Sequence, residues 1–354
     1  MASMGSGQST MRRIRMLLAV ARTLEEGLPG LGVRVLARAW APLAARAVVR
    51  SLDVPQGVRV VAVGGATLGG SGKTPLAIAC ARELASLGAR VALVGHAYRA
   101  SPGAARVVAG ADRVADVGDE ALVAARALAD AGVPVVVAPS RQAAAAFAAR
   151  LADVLVIDGA LQTAPSRAAL SLLAVDADEP WGRARAVPPR GDLRAPVAAL
   201  LRAADVVVAI GEGDDTTLEA HPRETAAHIR SYGVRVSGGL LPWSDLTHLR
   251  VGLATALARP QRVLRFLARR GVVPVERARA RDHGALARAA LRVPVDLWLV
   301  TEKCAEHIPA DAARVAPVGT IDHGLALSAA LRARLAAVAE ASRAARLDPG
   351  NRQQ

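Results

Sequence analysis

The stretch VRVVAVGGATLGGSGKTPLAIACARELASLG, residues 58–88, decides the fold. Its first seven residues are a Val-rich strand candidate. A glycine-rich turn follows, then Lys73 and Thr74, then a stretch with helical spacing. Strand, glycine turn, Lys-Thr and helix in that order form a phosphate loop. Glycines let the backbone wrap an anion with no Cβ in the way. The helix start supplies free N–H groups and a positive dipole end. Lys73 can reach β- and γ-phosphates, and Thr74 can hold Mg²⁺. The nucleotide-binding candidates are Thr67, Gly69, Gly70, Ser71, Gly72, Lys73 and Thr74. Thr67 occupies the place where the general motif has its first glycine, and the Gly69-Gly70 pair stands in for it. Pro75 sits in the first helical turn, where a missing N–H costs little.

Working outward, Val-rich runs alternate with helical stretches. Further strand candidates are 90–95, 133–139, 153–158, 170–176 and 205–211, with a short helix over 197–204. Continuous apolar strands of this kind are buried on both faces, as in a parallel sheet covered by helices. The expected fold is therefore α/β: a P-loop NTPase-like, mostly parallel sheet, with a smaller second α/β lobe and N-terminal helices. The expected divisions are a disordered start (1–10), helices (11–51), a core (55–235), a second lobe (236–346) and a loose tail (347–354). The second lobe carries a helix over 260–270, strands near 295–303 and 313–319, and a last helix over 323–346.

Composition narrows the partners. Hydrophobic residues are 52% of the chain but aromatics only 2%, so the core is built from Ala, Val and Leu. The formal charge of +14 reads either as arginine inflation over a solvated surface or as attraction to an anionic partner. Zinc spacing, an aromatic ribonucleoprotein motif and dense basic runs beyond MRRIR are all missing, which argues against nucleic acid. Two cysteines make neither a disulfide framework nor a metal quartet. The apolar run in MRRIRMLLAVARTLEEG is too short for a signal peptide, and the sequence holds no stretch of about 20 apolar residues. Arg34, Arg38, Arg46 and Arg50 share one side of a helical wheel, with Val35, Leu36, Trp40, Leu43 and Val48 largely elsewhere. Such a helix either rests on an anionic bilayer or packs on the protein body.

Lysine is nearly absent: of 45 basic residues only Lys73 and Lys303 are lysine, leaving 43 arginines. A phosphate cradle needs a compact ammonium that a planar guanidinium cannot replace. The same reasoning marks Lys303, which either contacts nucleotide or pairs with an acid beside a Thr301 cap.

These residues resemble the tetraacyldisaccharide 4'-kinase family. VGGATLGGSGKTP (63–75) is similar to its phosphate loop, V-G-N-x-T-x-G-G-T-G-K-T-P. GHAYR (95–99), VGDEALVAA (117–125), PVVVAPSRQAAA (134–145), DVLVIDGALQ (153–162), VPPRGDLRAP (187–196), ALARPQRVLRFL (256–267), RDHGAL (281–286) and VTEKC (300–304) match further motifs in order. The resemblance implies ATP and Mg²⁺ as cofactors and a lipid A disaccharide precursor phosphorylated at its 4' hydroxyl. It also implies a peripheral position on the cytoplasmic face of the inner membrane. No nucleic-acid partner and no obligate protein partner is expected.

Catalytic expectations fall on Lys73, Asp158 and His283, metal binding on Thr74, Asp158 and Asp176, and substrate contact on Tyr98, Glu120, Arg141, Gln162 and Arg194. Asp158 ends an apolar strand, at the sheet edge where ligands gather. It binds metal, assists the hydroxyl, or serves as a turn residue. The chain departs from the motifs at His96, Gly159, Ala160, Thr163, Ala195, Gly284 and Cys304. Gly159 replaces the second Asp of D-D-G and cannot accept a proton. Two alternatives accompany the kinase reading: a nucleotide-binding pseudokinase, and a kinase for another glycolipid or sugar.

Overall fold

The computed structural model describes residues 27–95, 97, 100–212, 224–237, 239–257, 259–280, 286, 291, 293–308 and 317–347. Tyr98, His283, the segment 1–26 and the tail from 348 lie outside them.

The chain begins with α1 (Leu31–Arg46) and β1 (Val49–Ser51), then β2 (Arg59–Gly65), α2 (Lys73–Ser86), β3 (Val91–Val94) and β4 (Arg106–Val107). Next come α3 (Val114–Val117), α4 (Asp119–Leu128), β5 (Val135–Val137), α5 (Arg141–Ala148), β6 (Val154–Asp158), β7 (Gln162–Ala164) and β8 (Leu170–Asp176). The run closes with α6 (Val197–Ala203), β9 (Val206–Gly211) and β10 (Glu224–Arg230). A second run holds β11 (Gly233–Val236), β12 (Gly239–Pro242), α7 (Trp243–Leu246), β13 (Val251–Thr255), α8 (Pro260–Ala268), β14 (Glu276–Arg279), β15 (Leu297–Val300), α9 (Glu302–Ala305) and β16 (Val318–Ile321). β17 (Gly324–Leu327) and α10 (Ala329–Leu347) end it.

Nine strands form the first sheet in the order β17-β10-β9-β8-β2-β6-β3-β5-β4, with β2 at its centre. All neighbours from β10 to β5 are parallel, and only the edges β17 and β4 run antiparallel. The apolar runs have a direct cause. Val61 and Val63 of β2 face Leu76, Cys80 and Leu84 of α2 on one side of the sheet. Val60 and Ala62 face the opposite cluster, with Ala144 and Ala148 of α5. Each fully buried leucine among these contributes about 1.5–3 kcal/mol.

The second sheet has six strands, β12-β11-β16-β15-β13-β14. Trp298 of β15 is buried in it, and its ring lies where a side chain at Gly252 would go, so that strand position requires glycine.

Two boundaries differ from expectation. The sequence predicts one helix of the second lobe over 323–346. Instead β17 pairs antiparallel with β10, and Leu331, Leu335 and Val338 of α10 join the core beside α2, so the C-terminus returns to the first sheet. The apolar run Leu325–Leu327 is short enough to serve as an edge strand, and it extends the sheet beyond β10. Residues 49–51, read as helix, form β1, paired in parallel with β7 through Val49↔Gln162 and Ser51↔Ala164.

Candidate active site

The loop between β2 and α2 sits at the C-terminal edge of the central strand. Gly72, the residue before α2, has φ +79, and a Cβ there would lie 2.7 Å from Ile210 Cδ1, so backbone and packing both favour glycine. No side chain caps the start of α2. Thr67 is buried, and its hydroxyl donates to the Gly69 carbonyl at 2.8 Å, bracing the turn from within. That bond gives a physical role to the residue standing in for the motif's first glycine.

Lys73, Thr74 and Asp158 converge. The Thr74 hydroxyl donates to Asp158 Oδ2 at 2.6 Å, and Lys73 Nζ lies 3.1 Å from Thr74 Oγ1. Lys73 Nζ is 3.2 Å from Glu120 Oε2 and 3.7 Å from Asp158 Oδ1. Glu120 also meets the other lysine: Lys303 Nζ is 3.5 Å from Glu120 Oε1. The chain's two lysines therefore share one carboxylate, and Lys303, on α9 of the second lobe, pairs with an acid on α4.

Asp158 is buried, and its Oδ1 accepts no hydrogen bond. A desolvated carboxylate oxygen beside a threonine hydroxyl is a hard oxygen donor set that fits Mg²⁺, which keeps waters and phosphates as its remaining ligands. Asp176 is engaged differently. Its Oδ2 pairs with Arg262 Nε at 2.7 Å, and its Oδ1 accepts from Asp178 N–H at 3.1 Å, so protein groups occupy both oxygens.

Basic groups surround Asp158. Arg141 Nη2 donates to the Asp158 carbonyl at 3.3 Å. Arg194 Nε donates to the Thr67 carbonyl at 2.9 Å. Burial holds both guanidiniums below their ordinary range; Arg50 pushes each the same way, while Asp158 opposes it. Three mutually repelling arginines kept close together form a site that an added anion would relieve. Gln162, expected at the substrate, is spent on the fold. Its Nε2 donates to Ser171 Oγ at 2.9 Å and the Ala203 carbonyl at 3.2 Å, and its Oε1 accepts from Thr163 and Ala168 N–H.

Sequence reasoning did not single out His307. Its Nε2 is 2.9 Å from Asp119 Oδ2, both residues are largely enclosed, and Asp119 Oδ1 accepts from Glu120 N–H at 2.8 Å. The available signal was its place four residues after Lys303, on the next turn. Gly159, where the motif has its second Asp, has φ +83, a backbone state that favours glycine. Cys304 is buried, and its Sγ accepts from Ala256 N–H at 3.2 Å.

A phosphate loop at the centre of a parallel sheet, with its Lys-Thr pair meeting a strand-end carboxylate, defines the class: a P-loop fold with a nucleotide site. The family model described as LpxK, tetraacyldisaccharide-1-P 4'-kinase, matches residues 30–340, and the chain belongs to that family. The tetraacyldisaccharide 4'-kinase of Methylobacterium sp. (strain 4-46) is 38% identical over 330 residues, covering 88% of this chain and 95% of its own. That of Methylobacterium radiotolerans is 35% identical over 291 residues, covering 78% and 85%. The fold is similar to a crystal structure described as the "apo" form of LpxK from Aquifex aeolicus in complex with ATP. The TM-score is 0.64 at 18% identity, covering 86% of this chain and 98% of that one.

Proposed function

We propose that this protein transfers the γ-phosphoryl group of ATP to the 4' hydroxyl of a tetraacyldisaccharide 1-phosphate. The observation that carries the reading is the meeting of Lys73, Thr74 and Asp158 at the mouth of the central strand, in a chain whose family has that activity. Lys73 would hold the phosphates, and Thr74 and Asp158 would hold Mg²⁺, which when bound would supply charge neutralisation for the transferring group. Arg141 and Arg194, the expected substrate contacts, supply the positive wall that receives an anionic acceptor.

The acceptor hydroxyl must lose a proton. Asp158 is committed to Thr74, and Glu120 is neutralised by two lysines. Asp119 has an imidazole partner that can hold a proton, so the Asp119–His307 pair is the better acceptor. It supplies the base that Gly159 lacks. Asp119→Asn is expected to lower kcat about 10²-fold while leaving the KM for ATP nearly unchanged. A kcat within about threefold of wild type would remove the pair from the chemistry.

An assay with labelled ATP and tetraacyldisaccharide 1-phosphate tests the whole reading. Labelled product supports it; saturable nucleotide binding without turnover identifies a pseudokinase. Label passing only to another acceptor identifies a kinase for a different glycolipid or sugar.

The proposed place of work is a membrane surface, reached through α1. Leu31, Val35, Leu36, Trp40 and Leu43 of this helix are exposed, while only its small Ala37 and Ala44 are buried against the body. Leu36, Trp40 and Leu43 follow i, i+4, i+7 spacing and so share a stripe. Exposed arginines 34, 38 and 46 flank it, while Arg50 lies past the helix on β1. No helix among the described residues is long and apolar enough to cross a membrane. This supports peripheral seating on anionic lipid, with the apolar stripe in the acyl boundary; in the cell this would be the cytoplasmic face of the inner membrane. Replacing Leu36, Trp40 and Leu43 together with glutamate is expected to cut sedimentation with anionic vesicles about tenfold or more. Unchanged partitioning would place the membrane contact elsewhere.

A further inference from the structure

We infer that Arg259, supplied by the second lobe, is a positioning residue that holds the phosphate loop in the shape that receives a triphosphate. The inference rests on the nucleotide-site reading above and names what controls that site: nucleotide affinity follows the docking of the second lobe.

Arg259 immediately precedes α8 and is the one buried arginine among the described residues. Its guanidinium pairs with the carboxylate of Asp192, which is also buried. Asp192 belongs to the segment that braces the loop from outside. The Asp192 carbonyl accepts from Leu68 N–H at 2.8 Å, Leu193 bridges to Thr67, and Arg194 Nε donates to the Thr67 carbonyl at 2.9 Å. From the other side, the stem of Arg259 lies against Gly70. A Cβ on Gly70 would come within 2.8 Å of Arg259 Cδ, and Gly70 has φ +71. One side chain thus both anchors the brace and packs on the loop.

The charge argument points the same way. A buried ion pair gains little over an apolar pair of the same volume, because desolvation offsets its attraction. Its value lies in selecting one arrangement, since a guanidinium and a carboxylate tolerate no other burial. The neighbouring contacts of α8 and the residues after it are more exposed: Arg265 with Glu179 at 3.4 Å, Arg269 with Asp178 at 3.0 Å and Arg270 with Glu212 at 2.5 Å. They tie the lobes together without reaching the loop. The loop is thus braced from within by the Thr67 hydroxyl and from outside by the Asp192–Arg194 segment.

The test compares Arg259→Met, which keeps the stem and removes the charge, with Arg259→Lys, Asp192→Asn and the double variant Arg259→Met/Asp192→Asn. Calorimetry gives the Kd for ATP with Mg²⁺; kinetics give kcat and the KM for each substrate; thermal melting checks folding. The expected result for Arg259→Met is a rise of about tenfold or more in the Kd and KM for ATP, with the acceptor KM and kcat within about threefold. Arg259→Lys should recover most of the loss, and the double variant should be no worse than the poorer single one, because both remove the same contact.

Folded Arg259→Met and Asp192→Asn proteins that bind ATP within about twofold of wild type would overturn the inference alone. So would a parallel rise in both KM values accompanied by a lowered melting point, which marks general loss of structure. If Arg259→Met does not fold, Asp192→Asn is judged by the same measures. Wild-type protein that binds no ATP would overturn the nucleotide reading, and this inference with it.

Discussion

Lys73→Arg is expected to lower kcat by about 10²–10³-fold although the charge is kept. Lys73 Nζ sits 3.1 Å from Thr74 Oγ1, 3.2 Å from Glu120 and 3.7 Å from Asp158, and its side chain is only 16% exposed. A planar guanidinium is wider than this enclosure, and its donors form a fixed fork rather than a point. It must displace Thr74 or Asp158, or withdraw from the phosphates. The measurement is kcat in the labelled-phosphate assay, with calorimetric ATP affinity on the same preparation. Turnover at the wild-type rate would show that the loop lysine takes no part in transfer.

The second large effect is expected at Asp158. Asp158→Asn should reduce kcat by about 10³-fold or more and raise the Mg²⁺ concentration needed for half-maximal rate. The carboxylate is buried and accepts the Thr74 hydroxyl at 2.6 Å; an amide turns one of its two acceptors into a donor and removes the charge that a cation requires. Asp178→Asn is the control. Asp178 lies just past β8, is 41% exposed at its side chain, and pairs with Arg269 at 3.0 Å. A surface pair of this kind contributes about 0–1 kcal/mol, so that variant should keep its rate within about threefold. Equal losses in the two variants would take Asp158 out of the metal site.

How much of this was legible beforehand depends on where each group's partners lie in the chain. The phosphate loop was legible because strand, turn, Lys-Thr and helix are contiguous. The six core strands were legible because burial on both faces leaves an uninterrupted apolar run. Lys303 stood out only because arginine had replaced lysine everywhere else; its partner, Glu120, lies far away in the sequence and could not be named. Gln162 misled because its neighbours match a motif, whereas its four hydrogen bonds go to the fold. Arg259 carries no local signal, and His307 only its spacing from Lys303: each meets its partner, Asp192 or Asp119, across a long stretch of chain.

Sequence by itself determined the class of fold and the place of the glycine-rich Lys-Thr turn after its central strand, because local backbone geometry and apolar periodicity depend on near neighbours. Only the tertiary structure decided that β17 and α10 return to the first sheet, that both lysines share Glu120, and that a second-lobe arginine braces the loop. Those are long-range pairings, set by which sheet edge is open and which buried charge finds a counter-charge, and no short window of residues contains both halves of them.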